Sequence, residues 1–190
     1  MEQLIRQWAI ERDLHNSRPL TQLAKVVEEL GELSSALSNQ DQGVYDGIGD
    51  VYVTLVILAQ IHNTTIEECF NTVYGERGHL SVEEEIRQSA WEEGLHLQYP
   101  LNQLPKVYEG LGETSSAITK NKGKLAVKEG IGKTYLELVV LAQTIETTVD
   151  FCAKLAYEEI KDRIGITIDG SFIKSDDLAN YHYHTSGQGD

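Results

Sequence analysis

The 190-residue sequence is poor in basic residues and in long apolar runs, and each shortage excludes a class of protein. It carries 16 Lys and Arg against 30 Asp and Glu, which gives a formal net charge of −14. Nucleic acids and anionic membranes are bound by clustered basic residues, so we expect neither as a partner. No run of 18 uncharged apolar residues occurs, and the N-terminal segment has no apolar signal region, so a cytoplasmic location is expected.

Cysteine and proline are also scarce. The two cysteines, Cys69 and Cys152, are expected to be small buried apolar side chains. Only three prolines occur, at positions 19, 100 and 105, and long stretches between them show the 3.6-residue periodicity of helices. The sequence therefore predicts an all-α fold.

The most informative feature that is present is an internal repeat. Residues 19–36 recur at 100–117 with 13 of 18 positions identical, and residues 47–60 recur at 130–143. Two units of about 80 residues are each near the lower limit for an independent core, so we expect them to pack together as a pseudo-dimer. Residues 1–80 are called copy one, 81–175 copy two, and 176–190 are expected to form a flexible polar tail.

Periodicity and turn signals predict four helices in each copy. The predicted ranges are about 3–14, 20–38 and 44–62 in copy one, and 82–95, 101–119, 125–146 and 148–163 in copy two. The fourth helix of copy one is predicted to begin near residue 65 and to end between residues 75 and 78. The inward stripe of the second helix is expected to include Leu20 and Val27. Asp169 and Gly170 lie between two short β-type runs within 166–174 and predict a terminal hairpin.

Acidic side chains gather on the second and third helices of copy one. Glu29 and Glu32 are three residues apart and Glu28 and Glu32 four apart, so all three share one side of the helix. Asp46 and Asp50 are also four apart, and a short turn makes the two helices antiparallel neighbours. Carboxylates about 5 Å apart repel by roughly 3 kcal/mol, so the cluster needs protons or a cation, and oxygen ligands favour Mg²⁺ or Mn²⁺. A solvated acidic helix face is an equally weighted alternative.

Copy two has lost part of this acidic set. Gly110 stands at the place of Glu29, and Lys133 stands at the place of Asp50. The difference indicates one working site and one scaffold half, although drift on an exposed surface would produce similar changes. The ammonium group of Lys133 could neutralise, without a metal, the remaining acids Glu109, Glu113 and Glu129.

Three stretches of copy one carry a family resemblance: QWAIERDL at 7–14, QLAKVVEELGELSSAL at 22–37 and DGIGDVYVTLVILA at 46–59. They resemble the MazG-like all-α nucleoside triphosphate pyrophosphohydrolases, especially the compact phage forms, and so does segment 156–174. The resemblance implies that Mg²⁺ is bound through Glu-Glu-x-x-Glu and Glu-x-x-Asp motifs. Gly47 takes the place of the first acid of the second motif, and Asp46 is its possible stand-in. The matching residues are Glu28, Glu29, Glu32 and Asp50.

The resemblance implies cleavage of a ribo- or deoxyribonucleoside triphosphate to the monophosphate and pyrophosphate in one composite site per chain, with no catalytic metal in copy two. It also allows two pseudo-dimers to pair as a homodimer. For Lys161 and Arg163, compensation of the helix dipole is a slightly stronger alternative than contact with phosphate. For Trp8, packing in the core is a stronger alternative than stacking on a base. The alternative function is a non-catalytic nucleotide-binding sensor or helical interaction module. The expected substrate contacts are Lys25, Gln22 and Trp8 of copy one and Lys161 and Arg163 of copy two.

Overall fold

The described parts of the computed structural model are residues 1–75 and 80–178. Residues 176–178 of the predicted tail follow the hairpin, while the rest of the tail and the segment 76–79 lie outside the described residues. The all-α fold with a small terminal hairpin is confirmed, and each predicted helix end that falls on described residues lies within about three residues of the observed one. The elements are α1 (Glu2–Glu11), α2 (Pro19–Asn39), α3 (Gly43–Ile61), α4 (Ile66–Tyr74), α5 (Val82–Glu92), α6 (Pro100–Thr119), α7 (Lys124–Thr144), α8 (Val149–Ile160), β1 (Gly165–Ile168) and β2 (Ser171–Lys174).

Local sequence signals set several of these boundaries. The hydroxyls of Thr65 and Thr148 accept backbone hydrogen bonds at the starts of α4 and α8, as good N-cap residues do. Asp169 and Gly170 have positive φ angles of 51° and 84°, which a two-residue turn between antiparallel strands requires. The predicted hairpin is therefore confirmed.

The two copies pack by exchanging their last helices. Helix α8 of copy two packs along α3 of copy one, and α4 of copy one packs along α7 of copy two. Gly49 lies directly against the backbone of Cys152, and Gly132 lies in the same way against Cys69, so a side chain at either glycine would overlap a facing carbonyl. Both cysteines are buried with free thiols, as predicted. Each copy thus supplies a helix that completes its neighbour.

The core is continuous across both copies. Buried side chains of all eight helices described in residues 1–75 and 80–178 form one cluster. The rings of Tyr52 and Tyr135 meet between α3 and α7 with their centroids 5.7 Å apart. By length and composition alone α3 could cross a membrane, but 72% of its most apolar window is buried inside this protein. The expectation that the two copies share a core is confirmed.

The buried stripe of α2 differs from the prediction. Leu20 and Val27, predicted to face inward, are 55% and 50% exposed, whereas Val26 and Leu33 are fully buried. Successive residues on a helix are separated by about 100°. The stripe that faces the core runs through Val26, Leu30 and Leu33, so Val27 points to the neighbouring side. The prediction for Leu20 and Val27 was wrong.

Candidate active site

A cleft of about 410 Å³ lies where α2 and α3 of copy one meet the end of α8 and the hairpin of copy two. It brings together nine of the ten side chains that the sequence predicts for the site. From copy one it is lined by Trp8, Gln22, Lys25, Glu28, Glu29, Glu32, Asp46 and Asp50, and from copy two by Glu159, Arg163, Ser171, Phe172 and Lys174, among others.

Lys161 is the predicted residue that the structure does not bring to the cleft. Its ammonium group pairs with Glu158 at 2.5 Å. Its backbone carbonyl, like that of Arg163, accepts a hydrogen bond from Nη2 of Arg12. The charge of Lys161 therefore fits the alternative of a cation at a helix end, and Arg12 holds the end of α8 beside the cleft.

Trp8 forms a wall of the cleft and is mainly a packing residue. Its indole N–H donates to the carbonyl of Ile160 at 3.0 Å, and the side chain is buried. Its ring lies 6.0 Å from that of Phe172, centroid to centroid, and the guanidinium of Arg12 lies 4.6 Å from the centre of the Trp8 ring. These contacts attach α8 and the hairpin to α1, which fits the core alternative for this residue.

Lys25 and Gln22 lie on the α2 side of the cleft. The ammonium of Lys25 is 2.6 Å from a carboxylate oxygen of Glu28 and 3.9 Å from one of Glu29. The buried amide of Gln22 donates to the backbone carbonyl of Thr54 at 2.9 Å. Gln22 therefore joins α2 to α3 at the inner end of the cleft, while Lys25 neutralises part of the acidic cluster.

Asp50 has the most perturbed carboxylate of the cluster. Burial raises the pKa of Asp50 to about 7, repulsion from Asp46 and Glu29 adds to the rise, and Arg163 opposes it. Within the described part of the chain this carboxylate accepts no hydrogen bond and forms no ion pair. A desolvated carboxylate without a partner binds a proton or a cation readily, and such groups are typical of functional sites.

Burial also raises the pKa values of two other acids in the cleft, Glu29 and Asp46. Burial raises the pKa of Glu29, where Lys25 opposes the change and Glu32 adds to it. Burial also raises the pKa of Asp46, and repulsion from Glu159 of copy two contributes further. The acids of copy one therefore interact both with each other and with a carboxylate of the other copy.

The donor chemistry of the cluster fits a hard divalent cation, although the side chains are not arranged as a finished coordination shell. Among residues 1–75 and 80–178, no three His, Cys, Asp or Glu side chains stand close enough together to hold a metal ion. Glu28 and Glu29 are turned toward Lys25. A bound cation would have to draw these carboxylates away from the lysine.

The close packing of α3 against α2 explains why a glycine stands at position 47. A Cβ atom at this position would lie 3.1 Å from the Cα of Leu33 on α2, which is tighter than an ordinary contact. The acid that the resembled motif has here would therefore press on the backbone of α2. Asp46, one residue earlier, lines the cleft instead.

The equivalent place in copy two is closed by backbone. A Cβ atom on Gly110, which stands where copy one has Glu29, would lie 2.7 Å from the backbone nitrogen of Thr134. The hydroxyls of Thr114 and Thr134 are 3.5 Å apart and buried in the same contact. Helices α6 and α7 therefore leave no room for a side chain at position 110.

Lys133 neutralises part of the remaining acidic set of copy two. Its ammonium lies 2.5 Å from a carboxylate oxygen of Glu113. This hydrogen bond raises the pKa of Lys133, and Glu129 contributes in the same direction. No ion pair joins Lys133 to Glu109 within the described residues. The predicted neutralisation is thus confirmed for Glu113 as a direct contact.

Two charged residues of the cleft, Glu159 and Lys174, are not among the site residues predicted from the sequence. Glu159 accepts from the guanidinium of Arg163 at 3.4 Å. Lys174 lines the cleft from β2 and forms no ion pair with any described residue. The alternation of side chains along a strand could have found Lys174, because Phe172 and Lys174 must share a face of the hairpin.

Comparisons with known proteins relate part of the chain to a phage protein. No protein-family model matches the chain, and no solved structure matches it significantly. An uncharacterised 18.2 kDa protein from the rep-hol intergenic region of Haemophilus phage HP1 (strain HP1c1) is 43% identical over 65 residues. The match covers 32% of this chain and 40% of the phage protein, so it spans less than half of that relative.

Proposed function

We propose that the cleft hydrolyses a ribo- or deoxyribonucleoside triphosphate to the monophosphate and pyrophosphate with the help of Mg²⁺ or Mn²⁺, as a MazG-like enzyme does. The observation that carries the proposal is the composition of one cleft: five acids of α2 and α3 face the basic residues Arg163 and Lys174 of the other copy. A nucleoside triphosphate bound with a divalent cation matches this arrangement, because its negative phosphates can pair with the basic residues and the cation can pair with the acids.

Glu29, Glu32 and Asp50 are the residues that would hold the cation, with Asp46 in place of the acid missing at position 47. Asp50 supports this assignment because its carboxylate is desolvated and forms no ion pair with any residue that the structure describes. A divalent cation bound there supplies neutralisation of the phosphate charge and polarisation of the phosphoanhydride.

Three basic side chains would bind the phosphate oxygens: Lys25, Arg163 and Lys174. The guanidinium of Arg163 can donate two parallel hydrogen bonds to a phosphate. Since the protein carries a net charge of −14, local cations are needed to admit a polyanion at all. The apolar wall of Trp8 and Phe172 would lie beside the sugar or base.

The exposed carboxylate of Glu28 is the group best placed to orient the attacking water, because it is the least desolvated of the α2 acids near Lys25. Water adds to a phosphorus of the α–β phosphoanhydride, the bond to the bridging oxygen breaks, and the water protons pass to a carboxylate or to solvent. The products are the monophosphate and pyrophosphate.

A non-catalytic nucleotide sensor is the second candidate. Gly47, where the resembled motif has an acid, and the separation of the acids within the described residues favour it. Both functions predict cation-dependent nucleotide binding, but only the enzyme releases product. A homodimer of pseudo-dimers and a cytoplasmic location stay predictions.

The test is a panel of ribo- and deoxyribonucleoside triphosphates with Mg²⁺ or Mn²⁺, assayed for pyrophosphate and monophosphate. We expect equal amounts of both products from at least one nucleotide, and none in the presence of EDTA. Calorimetric titration with a non-hydrolysable triphosphate analogue separates the remaining outcomes. Binding without product would establish the sensor, and absence of binding would leave the helical interaction module.

A further inference from the structure

Copy two contains a second cavity, of about 490 Å³, at the place that the repeat relates to the candidate active site. Leu95 and Lys106 line it where Leu14 and Lys25 line the cleft of copy one. The inner, apolar half of the cleft is therefore retained in copy two, although the acidic half is closed at Gly110. Its apolar walls include Phe70, Ile86, Leu95, Leu136 and Val140.

Two substitutions change the character of this inner half. Ser89 stands at the place of Trp8, so the ring that fills one wall in copy one is replaced by a small side chain. Glu137 stands at the place of Thr54 and adds a carboxylate to the cavity. The cavity of copy two is thus wider and has gained a hydrogen-bond acceptor.

The carboxylate of Glu137 is held in place by one hydrogen bond from a side chain, and its remaining acceptor positions are available to a ligand. The buried amide of Gln103 donates to its Oε2 at 2.5 Å, and Oε1 accepts no hydrogen bond from the described residues. An ionised carboxylate has about four acceptor positions on two oxygens. Glu137 can therefore accept from two adjacent N–H donors of a ligand while Gln103 holds it in place.

The charges around the cavity disfavour phosphate. Among the described residues that line it, three are acidic, Glu85, Glu93 and Glu137, and one is basic, Lys106. Lys133, the cation that replaces Asp50, is already paired with Glu113. A ligand of this cavity should therefore lack the phosphate chain.

The aromatic residues of the cavity come from the exchanged helix α4. The rings of Phe70 and Tyr74 are stacked, with centroids 4.8 Å apart and planes 29° from parallel. Together with the aliphatic side chain of Leu136, they give the cavity an apolar lining suited to a planar ring.

We propose that the copy-two cavity binds a guanine-type nucleoside without phosphate, whose ring N–H and amino N–H donate to Glu137. Guanine is the neutral nucleobase with two adjacent N–H donors on its pairing edge, the edge that protein side chains read when a base is unpaired. That the ligand is a nucleoside rests on the proposed function of the first cleft, whereas the donor pattern follows from Glu137 itself.

The experiment is calorimetric titration of the full chain with guanosine in EDTA. We expect one site, weakened at least about tenfold by Glu137→Gln because a charge-assisted pair of hydrogen bonds is lost. Ser89→Trp should abolish binding by restoring the ring that fills copy one, and inosine, which lacks the amino group, should bind more weakly than guanosine. Glu32→Gln, the matched control in the first cleft, should leave guanosine binding unchanged.

The proposal is overturned if guanosine does not bind, if Glu137→Gln binds it as tightly as the parent, or if adenosine binds equally well. Circular dichroism and thermal unfolding check the variants, and the nearly isosteric Glu137→Gln keeps the test valid should Ser89→Trp fail to fold. Guanosine binding without pyrophosphate release from any triphosphate would remove only the proposed function. Pyrophosphate release without guanosine binding would remove only the present proposal.

Discussion

The two clefts are built from repeated segments of the sequence, yet the polar half is open and acidic in copy one and closed in copy two. In copy one, α2 and α3 leave space for Glu29, and Asp50 has no hydrogen-bond or ion-pair partner among residues 1–75 and 80–178. In copy two, the backbones of α6 and α7 meet at Gly110, and Lys133 pairs with an acid of its own copy. Copy two therefore lacks the space for a side chain at position 110 as well as the two acids that Gly110 and Lys133 replace.

The exchanged helices make the two clefts unequal in a second way. The chain continues beyond α8 through Arg163 into the hairpin, which supplies Lys174 to the first cleft. The described part of α4 supplies instead the aromatic pair Phe70 and Tyr74 to the cavity of copy two. Each copy therefore completes the other's cleft, one with charged groups and one with rings.

Neutralising the acids of the first cleft is expected to have the largest effect. Glu32→Gln or Asp50→Asn should lower pyrophosphate release about 100-fold or more, because each removes a ligand of the proposed cation. The matched change Glu113→Gln in copy two should leave the rate largely unchanged. Wild-type turnover in either of the first two variants, or a collapse in the third, would reverse the assignment of the working copy.

The closure of copy two can be tested on α6 alone. Gly110→Ala should lower the free energy of unfolding by roughly 1–3 kcal/mol, since its Cβ would meet the backbone of Thr134. Gly112→Ala, whose Cβ would meet nothing within 4 Å, should raise it by about 0.5–1 kcal/mol. Urea unfolding measures both, and equal stability of the two variants would contradict the closed helix contact.

A smaller effect than that of Gly110→Ala is expected from the pH dependence that Asp50 adds to stability. Its pKa rises from 3.8 to about 7 on folding, so the folded state holds this proton more tightly than the unfolded state. The stabilisation is complete below about pH 4 and is lost as the pH rises through about 7. Asp50→Asn, which carries no charge, should therefore raise the free energy of unfolding at about pH 8 by on the order of 1–2 kcal/mol in EDTA, and much less at about pH 4.

A substitution of Lys133, which stands in copy two at the place of Asp50, serves as the comparison for Asp50→Asn. Lys133→Met removes an ion pair whose side chains are both about 40% exposed, so it should change the free energy of unfolding by less than about 1 kcal/mol. Urea unfolding at the same two pH values supplies the comparison. A gain from Asp50→Asn that is equal at both pH values would show that the Asp50 carboxylate is not perturbed by burial.

Local patterns predicted the helices and the hairpin because the required information lies within a few residues. Asp169 and Gly170 suit a turn with two positive φ angles, and the apolar spacing of 44–62 marks α3. The same reasoning failed for Val27, where an adjacent valine competes for the inward position one residue away. It also failed to separate Lys161, which pairs with Glu158, from Arg163, which reaches the cleft.

The sequence by itself determined the duplication, the helices and the pairing of acids on α2 and α3, because these depend on identity and spacing along one segment. Only the tertiary structure decided that α8 lies on α3, that Lys174 lines the same cleft as the acids, and that Gly110 closes its own cleft. These features depend on which helix crosses to the other copy and on how closely two helix backbones approach each other. Neither the crossing nor the distance between the backbones is encoded in a local sequence pattern.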